Sequence, residues 1–533
     1  MLTVLLCSVV VVFATWFFVK RKKKFSIFKD LGIPGPPPSF ISGNLSEILD
    51  KGAAAAFNEW IEKYGDYVGF FNGAYPCLIV KDLELIKNIQ IKDFSNFHRR
   101  GVFSGFARVH PIDKLNLINT TGQRWKEMRS LITPAFATSN MKKMASLMED
   151  STDEFLSVVE CLRLKNQSFE ARELFQRLSA DVIFRSAFGL KSGLQQRTAS
   201  NKTAESLFQG SIGLLKMFKL SWRGYLFTCF PELGPLWRVI LWLTSRYNKP
   251  VTDMILDDVT PIVQYRRENR NATRTDFLQQ MLNAEADEGT PVDENSLATG
   301  DAERTTEGND AQKLNTDQKT RGLTNAEIVA NGLLFFVAGF ETTGTAMSFL
   351  AYALARNQDV QERLRKEVLA VFERDGAFTY DNVFGIKYLD QVISESLRYQ
   401  PSVVGFITRT GTHDYVHNNK TVPAGISILV PSYYMSRDAT YWAEPEKFDP
   451  NRFAAENKSQ IDPTVYQPFG QGPRSCIGMR FAQMEMKLAM AKTLAKYRFV
   501  LDDRHVKEKE LKIGSSFLFA YPEDGIWLKI EEV

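Results

Sequence analysis

Hydrophobic and polar positions sort the chain into a few clear stretches. Residues Leu2 to Val19, LTVLLCSVVVVFATWFFV, hold no charge, and Lys20, Arg21, Lys22, Lys23 and Lys24 end the run abruptly. Eighteen such residues predict a helix of about 27 Å at ~1.5 Å per residue, enough for a thin bilayer core. Farther on, Tyr67–Phe71 and Pro76–Val80 are short and β-rich, whereas residues 122–282 carry an almost wholly helical pattern. Thr324-x-x-Glu327 is a capping-box signature ahead of a second apolar run. That run predicts a helix, uninterrupted by proline, to about Asn357. At the usual rise it is on the order of 50 Å long, and it is apolar enough to run through the core of a large domain. After Gly478 the stretch MRFAQMEMKLAMAKTLAKY predicts another helix.

Two stretches break the pattern. Pro34, Pro36, Pro37 and Pro38 fix the backbone into an extended, semi-rigid strut. Residues 284–310 hold nine acids, one Arg304 and almost nothing to bury, which predicts a flexible surface insertion reaching to about residue 320. No repeat of 20–50 residues is evident. The fold class is mainly α with a minor β region and one large catalytic domain. Its expected divisions are 1–24 (a membrane signal-anchor with its basic stop), 25–45 (a proline-rich linker) and 46–533 (the catalytic domain, with the acidic insertion at 284–320). Nothing basic precedes Leu2, and the positives follow the apolar run. The flanks therefore predict an uncleaved single-pass anchor whose body faces the cytosol.

Charge and cysteine content remove several function classes. The 533 residues include 66 Lys+Arg against 62 Asp+Glu. Removing the five positives of the basic run leaves 61 against 62, so the body is near neutral. A broad basic face for nucleic acid is not expected. Cys7, Cys77, Cys161, Cys229 and Cys476 form neither a disulfide framework nor a CxxC pair, and there is no HExxH.

One cysteine stands in a specific setting: Phe469-Gly470-Gln471-Gly472-Pro473-Arg474-Ser475-Cys476-Ile477-Gly478. The glycines and the proline permit a tight turn. The thiol then lies on a loop entering a helix N-terminus, with Arg474 two residues away, and both features stabilise a thiolate. Such a thiolate can bind a metal or act as a nucleophile. The segment resembles the cysteine loop of the cytochrome P-450 haem-thiolate monooxygenases, Phe-x-x-Gly-x-Arg-x-Cys-x-Gly, at Phe469, Gly472, Arg474, Cys476 and Gly478. The resemblance extends over nearly the whole chain. Glu395 and Arg398 match the family's Glu-x-x-Arg helix, and Asp449–Phe453 resembles the loop whose Arg452 completes a Glu–Arg–Arg cluster. Ser436 stands where many relatives carry His, and Asn451 where Glu is frequent. Trp125 and Arg129, at i and i+4, resemble the pair that grips a haem propionate, with Arg474 and Arg409 as further partners. Ala338-Gly339-Phe340-Glu341-Thr342-Thr343 is similar to the family's oxygen-binding signature.

The resemblance implies haem b held by Cys476 as axial thiolate, with Phe469 and Gly339 beside the cofactor. Gly339 would let an axial ligand approach the helix backbone, Thr342 would hold dioxygen and its waters, and Glu341 would relay protons. It further implies electrons from NADPH through a haemoprotein reductase, with cytochrome b5 as an alternative donor, O2 and a small lipophilic substrate (xenobiotic, steroid or fatty-acid type), and residence on the endoplasmic-reticulum membrane in contact with lipid. Lys126, Arg480 and Lys487 are candidates for a basic docking face. Aromatic-rich residues 97–120 (Phe97, Phe103, Phe106) and 205–245 (Phe208, Phe218, Trp222, Phe227, Phe230, Trp237) would cover the haem and form a lid near the membrane. Two rival functions stay open here. One is a haem-thiolate isomerase or dehydratase acting on fatty-acid peroxides, against which Thr342 argues; the other is a non-catalytic membrane-anchored binding protein.

Overall fold

The longest helix, Asn325–Arg356, forms the axis of the molecule. Thr324 caps it, accepting from the Glu327 amide while the Glu327 carboxylate accepts from the Thr324 amide. This helix is long and apolar enough to cross a membrane by length and composition. Two-thirds of its apolar window is buried in the body, so it is a core helix. The computed structural model describes residues 2–101, 111–196, 202–217, 222–245, 251–269, 276–286, 321–507 and 510–533. Phe103, Phe106, Phe218 and most of the acidic insertion lie outside these.

Ala171–Ile183 packs along the long helix over its whole length. Two glycines permit the close approach: a Cβ on Gly344 would lie 2.8 Å from the Cα of Gln176, and one on Gly339 would lie 2.6 Å from Ile183 Cδ1. Helices Thr138–Leu164, Val251–Glu268, Lys387–Tyr399 and Met479–Leu494 complete the bundle. The apolar residues they share with the long helix form one continuous core.

The β-structure is small and peripheral. Strands Tyr67–Asn72 and Tyr75–Val80 pair antiparallel. The second strand then pairs parallel with Ser427–Leu429, whose other edge takes Thr408–Thr410. A three-stranded sheet joins Phe169–Glu170, Trp527–Glu532 and Tyr497–Leu501. The larger sheet carries its own apolar cluster on one face, beside the segment leading to the cysteine loop. At the N-terminus the helix runs from Leu2 to Phe25, through the basic run and not just up to it.

Candidate active site

The loop from Phe469 to Gly478 is shaped by two glycines in the left-handed region, Gly470 at φ 71° and Gly472 at φ 72°. A side chain at Gly472 would strike the carbonyl oxygen of Gln90, which a Cβ would approach to 2.1 Å. The turn is closed by the Cys476 amide donating to the Phe469 carbonyl at 2.8 Å. Phe469 rests on the main core. Helix Met479–Leu494 starts just after, with Gly478 as its N-cap.

Cys476 keeps an accessible face, although protein encloses it closely enough for desolvation to push its thiol up. The Gly478 amide, Arg129 and Arg100 pull in the opposite direction without prevailing. The sequence assigned the helping cation to Arg474, and the structure corrects this. All the guanidinium nitrogens of Arg474 donate to carbonyls, of His98, Leu117, Ile118 and Thr120 at 2.7–3.4 Å. The planar group also lies 4.2 Å from the Trp125 ring centroid. Arg474 ties the cysteine loop to residues 98–120.

Four cations converge here. Arg100 is held well below the usual arginine range by desolvation and by repulsion from Arg409, Arg474 and Arg129. Arg409 is lowered to about 10 by burial, and Arg474 to about 9 by burial with Arg409 and Arg129 nearby. Among the described residues no carboxylate pairs with any of the four. The Nε atoms of Arg100 and Arg409 are buried without a hydrogen-bond partner. Buried charge of one sign with unused donors is costly, so the cluster is built for an anion. The sequence did not single out Arg100; its signal, an Arg99–Arg100 pair in a loop, looks like any solvated basic doublet until the fold brings it to Cys476.

On the long helix Leu334, Ala338 and Thr342 form an accessible i, i+4 stripe, with Phe335, Val337 and Gly339 partly accessible beside it. The Thr342 hydroxyl donates to the Ala338 carbonyl at 2.8 Å. Glu341 points elsewhere: Arg172 Nη2 donates to it at 2.5 Å and Gln176 Nε2 at 2.6 Å, both from the neighbouring helix. Gly339 also turns toward that helix, at Ile183. The helix thus leaves Ala338 and Thr342 accessible, while Gly339 and Glu341 serve the packing of the two helices.

Comparison with known proteins decides the family. The sequence model described as Cytochrome P450 matches residues 33–528. The chain is 31% identical over 511 residues to "Cytochrome P450 3A12" of Canis lupus familiaris, covering 95% of this chain and 92% of that one. It is equally 31% identical to "Lithocholate 6-beta-hydroxylase" of Mesocricetus auratus over 510 residues (94% and 92%). The same identity holds to "Cytochrome P450 6a8" of Drosophila melanogaster over 524 residues (96% and 96%).

The chain belongs to the cytochrome P450 family. It is an oxidoreductase that incorporates oxygen from O2, and its cofactor is haem b, supplied with electrons from NADPH through a reductase. The residues of this P450 fit that group. A thiol with an accessible face on the Phe469–Gly478 loop would suit a sulfur ligand to the haem iron. Arginines without a carboxylate partner among the described residues, Arg100, Arg129 and Arg409, with the Trp125 indole N–H one turn from Arg129, suit two carboxylates.

A second cluster ties helix Lys387–Tyr399 of this P450 to the segment 436–452. Arg398 makes a bidentate pair with Glu395 at 2.7 and 2.8 Å, both fully buried. Arg452 approaches the same carboxylate at 3.5 Å, and the Asp449 amide donates to it at 2.8 Å. Arg398 also donates to the carbonyl of Ser436 at 2.9 Å. A carbonyl is supplied by any residue, so Ser at this position leaves the cluster intact. Of the candidate docking cations, Lys126 and Arg480 are exposed. Lys487 is buried, 3.1 Å from Asp390 and over the Phe384 ring, and does not belong to an outer basic face. Phe97, Phe208 and Phe227 are buried, with Phe208 against Phe340 of the long helix at 5.4 Å. Trp222 is exposed.

Proposed function

We propose that this enzyme inserts one oxygen atom of O2 into a small lipophilic substrate of xenobiotic, steroid or fatty-acid type, and does so at the endoplasmic-reticulum membrane. A likeness to a protein named as a lithocholate hydroxylase supports a substrate of that size and polarity. Leu2–Val19 anchors the chain by a single pass, Lys20–Lys24 marks the cytosolic side, residues 25–45 form the linker, and the haem domain (46–533) faces the cytosol. A membrane-bound haemoprotein reductase is the electron donor and cytochrome b5 a second one, with lipid in contact with the aromatic 205–245 region.

The observation that carries the reading is the set of arginines, without carboxylate partners among the described residues, gathered around Cys476. Cys476 binds the iron as thiolate; Trp125, Arg129, Arg409 and Arg100 bind the propionates; Arg474 holds the loop in register and stacks on Trp125. When bound, haem would supply the oxygen-activating chemistry, with Cys476 as its sulfur ligand. Thr342 holds a proton at its hydroxyl oxygen and orients water there once its bond to the Ala338 carbonyl is released. Glu341 reaches that water only by leaving Arg172, so its relay is gated by the ion pair. Glu395, Arg398 and Arg452 fix the cysteine loop from behind, and Phe469 packs its flank.

The test is the reduced, carbon-monoxide-treated difference spectrum of the purified protein. The thiolate-haem Soret shift is expected in the wild type and lost in Cys476→Ala. Its absence from folded wild-type protein would overturn the assignment of Cys476. Product formed from NADPH, reductase and O2, and not from a fatty-acid hydroperoxide alone, separates monooxygenation from rearrangement.

A further inference from the structure

Arg21 stands in the middle of the basic run, where solvent or lipid headgroups would be expected to take it, yet only 1% of it is exposed. Lys20, Lys22 and Lys23 around it are exposed. The Arg21 guanidinium donates to three carbonyls at 2.7 Å each: Phe40 from Nε, Ile41 and Cys229 from Nη2. Four rings, Phe17, Phe25, Phe40 and Phe230, surround it at 5.0–5.8 Å from their centroids. Its Nη1 lies 3.6 Å from one carboxylate oxygen of Glu232, and Lys24 lies 3.7 Å from the other.

Three distant parts of the chain therefore meet on one side chain: the N-terminal helix, the segment after the proline strut, and the corner at 229–232. Phe17 stacks on Phe230 across the same junction, and Phe18 packs on Phe40. The corner leads directly into helix Gly234–Ser245. That helix leaves Leu236, Val239, Trp242 and Leu243 exposed. A planar guanidinium with forked donors can serve three carbonyls and a carboxylate at once; a lysine ammonium offers donors from a single point and cannot span them. Ring faces stabilise the same cation.

We propose that Arg21 is a positioning residue: it clamps the N-terminal helix to the 229–232 corner, so that the membrane anchor and the apolar face of helix Gly234–Ser245 meet one bilayer at a fixed angle. The anchor sets the depth at which this face lies, and with it the route by which a lipophilic substrate leaves the lipid. The membrane part rests on the anchor reading above; the clamp does not.

Hydrogen exchange on the full-length holoenzyme in phosphatidylcholine nanodiscs tests it. In Arg21→Gln, peptides covering residues 226–245 are expected to exchange on the order of tenfold faster than in wild type. Lys22→Gln, which removes the same charge from an exposed neighbour, is expected to leave them unchanged. Equal exchange in Arg21→Gln and wild type overturns the clamp. If Arg21→Gln fails to fold, Phe230→Leu thins the ring cage and keeps the charge. It is expected to raise exchange in the same peptides, and no change there is equally fatal. Flotation of the wild type with phosphatidylcholine vesicles is read separately. A chain that stays out of the lipid fraction removes the anchor, while exchange in detergent still judges the clamp.

Discussion

Glu485 lies on the helix that follows Cys476, is buried, and has neither carboxylate oxygen in a geometrically sound hydrogen bond. Burial pushes its carboxyl from 4.5 up to about 8, with Ser179 close enough to ease this only in part. It is therefore protonated at neutral pH. In the unfolded chain the same group ionises near 4.5, so between about pH 4.5 and 8 the native state holds a proton that the unfolded state has lost. Stability from this group falls as pH rises through that window. Glu485→Gln keeps the shape and removes the titration. It is expected to come closest to wild type below about pH 4.5 and to exceed it by about 2 kcal/mol or more at pH 8, since one pKa unit is about 1.4 kcal/mol. Thermal unfolding of the holoenzyme at several pH values measures this, and parallel curves would refute it. Thr342 belongs to the same scale. With its hydroxyl the one polar group on the accessible stripe Leu334–Ala338–Thr342, Thr342→Ala is expected to lower product formed per NADPH consumed by roughly tenfold, with the carbon-monoxide spectrum intact. Unchanged coupling would remove its role.

Among elements, the Lys387–Tyr399 helix bears the sharpest contrast. Glu395 and Arg398 are fully buried and bidentate, whereas Arg452 sits farther off with part of its side chain in solvent. Removing one partner of a buried pair strands the other charge, so Glu395→Gln is expected to cost about 3–5 kcal/mol in urea unfolding. Arg452→Ala is expected to cost about 1 kcal/mol or less. Equal losses would mean that the three act as one unit. The sequence made these elements legible where pattern and local chemistry coincide: the Thr324 capping box, the two strands ending in Asn72 and Val80, and the helix after Gly478. It misled where a residue's role depends on which way a helix is turned. Glu341 is one residue from Thr342 but about 100° around the helix, and Arg172, 169 positions away in sequence, claims it. Arg474 was a plausible anion ligand by spacing alone. Only the fold brings the carbonyls of residues 98–120 against it and leaves Arg100 for that task.

For the molecule as a whole, the acidic insertion hangs from a narrow neck. The Ala286 amide donates to the Leu323 carbonyl at 2.9 Å, and the Leu323 amide to Ala284 at 2.8 Å. Gly322 fits there because a Cβ would lie 2.6 Å from the Ala286 backbone. Since the two ends already touch, replacing residues 287–320 by a short Gly-Asn-Gly turn is expected to leave stability within about 0.5 kcal/mol and the carbon-monoxide spectrum unchanged. A lost spectrum would assign the insertion a structural duty.

The buried arginines around Cys476 reach beyond catalysis. A polypeptide that gathers four cations in its interior without acidic partners among its described residues has left part of its own neutralisation to a molecule made by another pathway. Synthesis of the chain and supply of its prosthetic group are thereby coupled. When the group is scarce, newly made chains are expected to be less stable and more open to proteolysis, which pulse-chase under haem depletion measures.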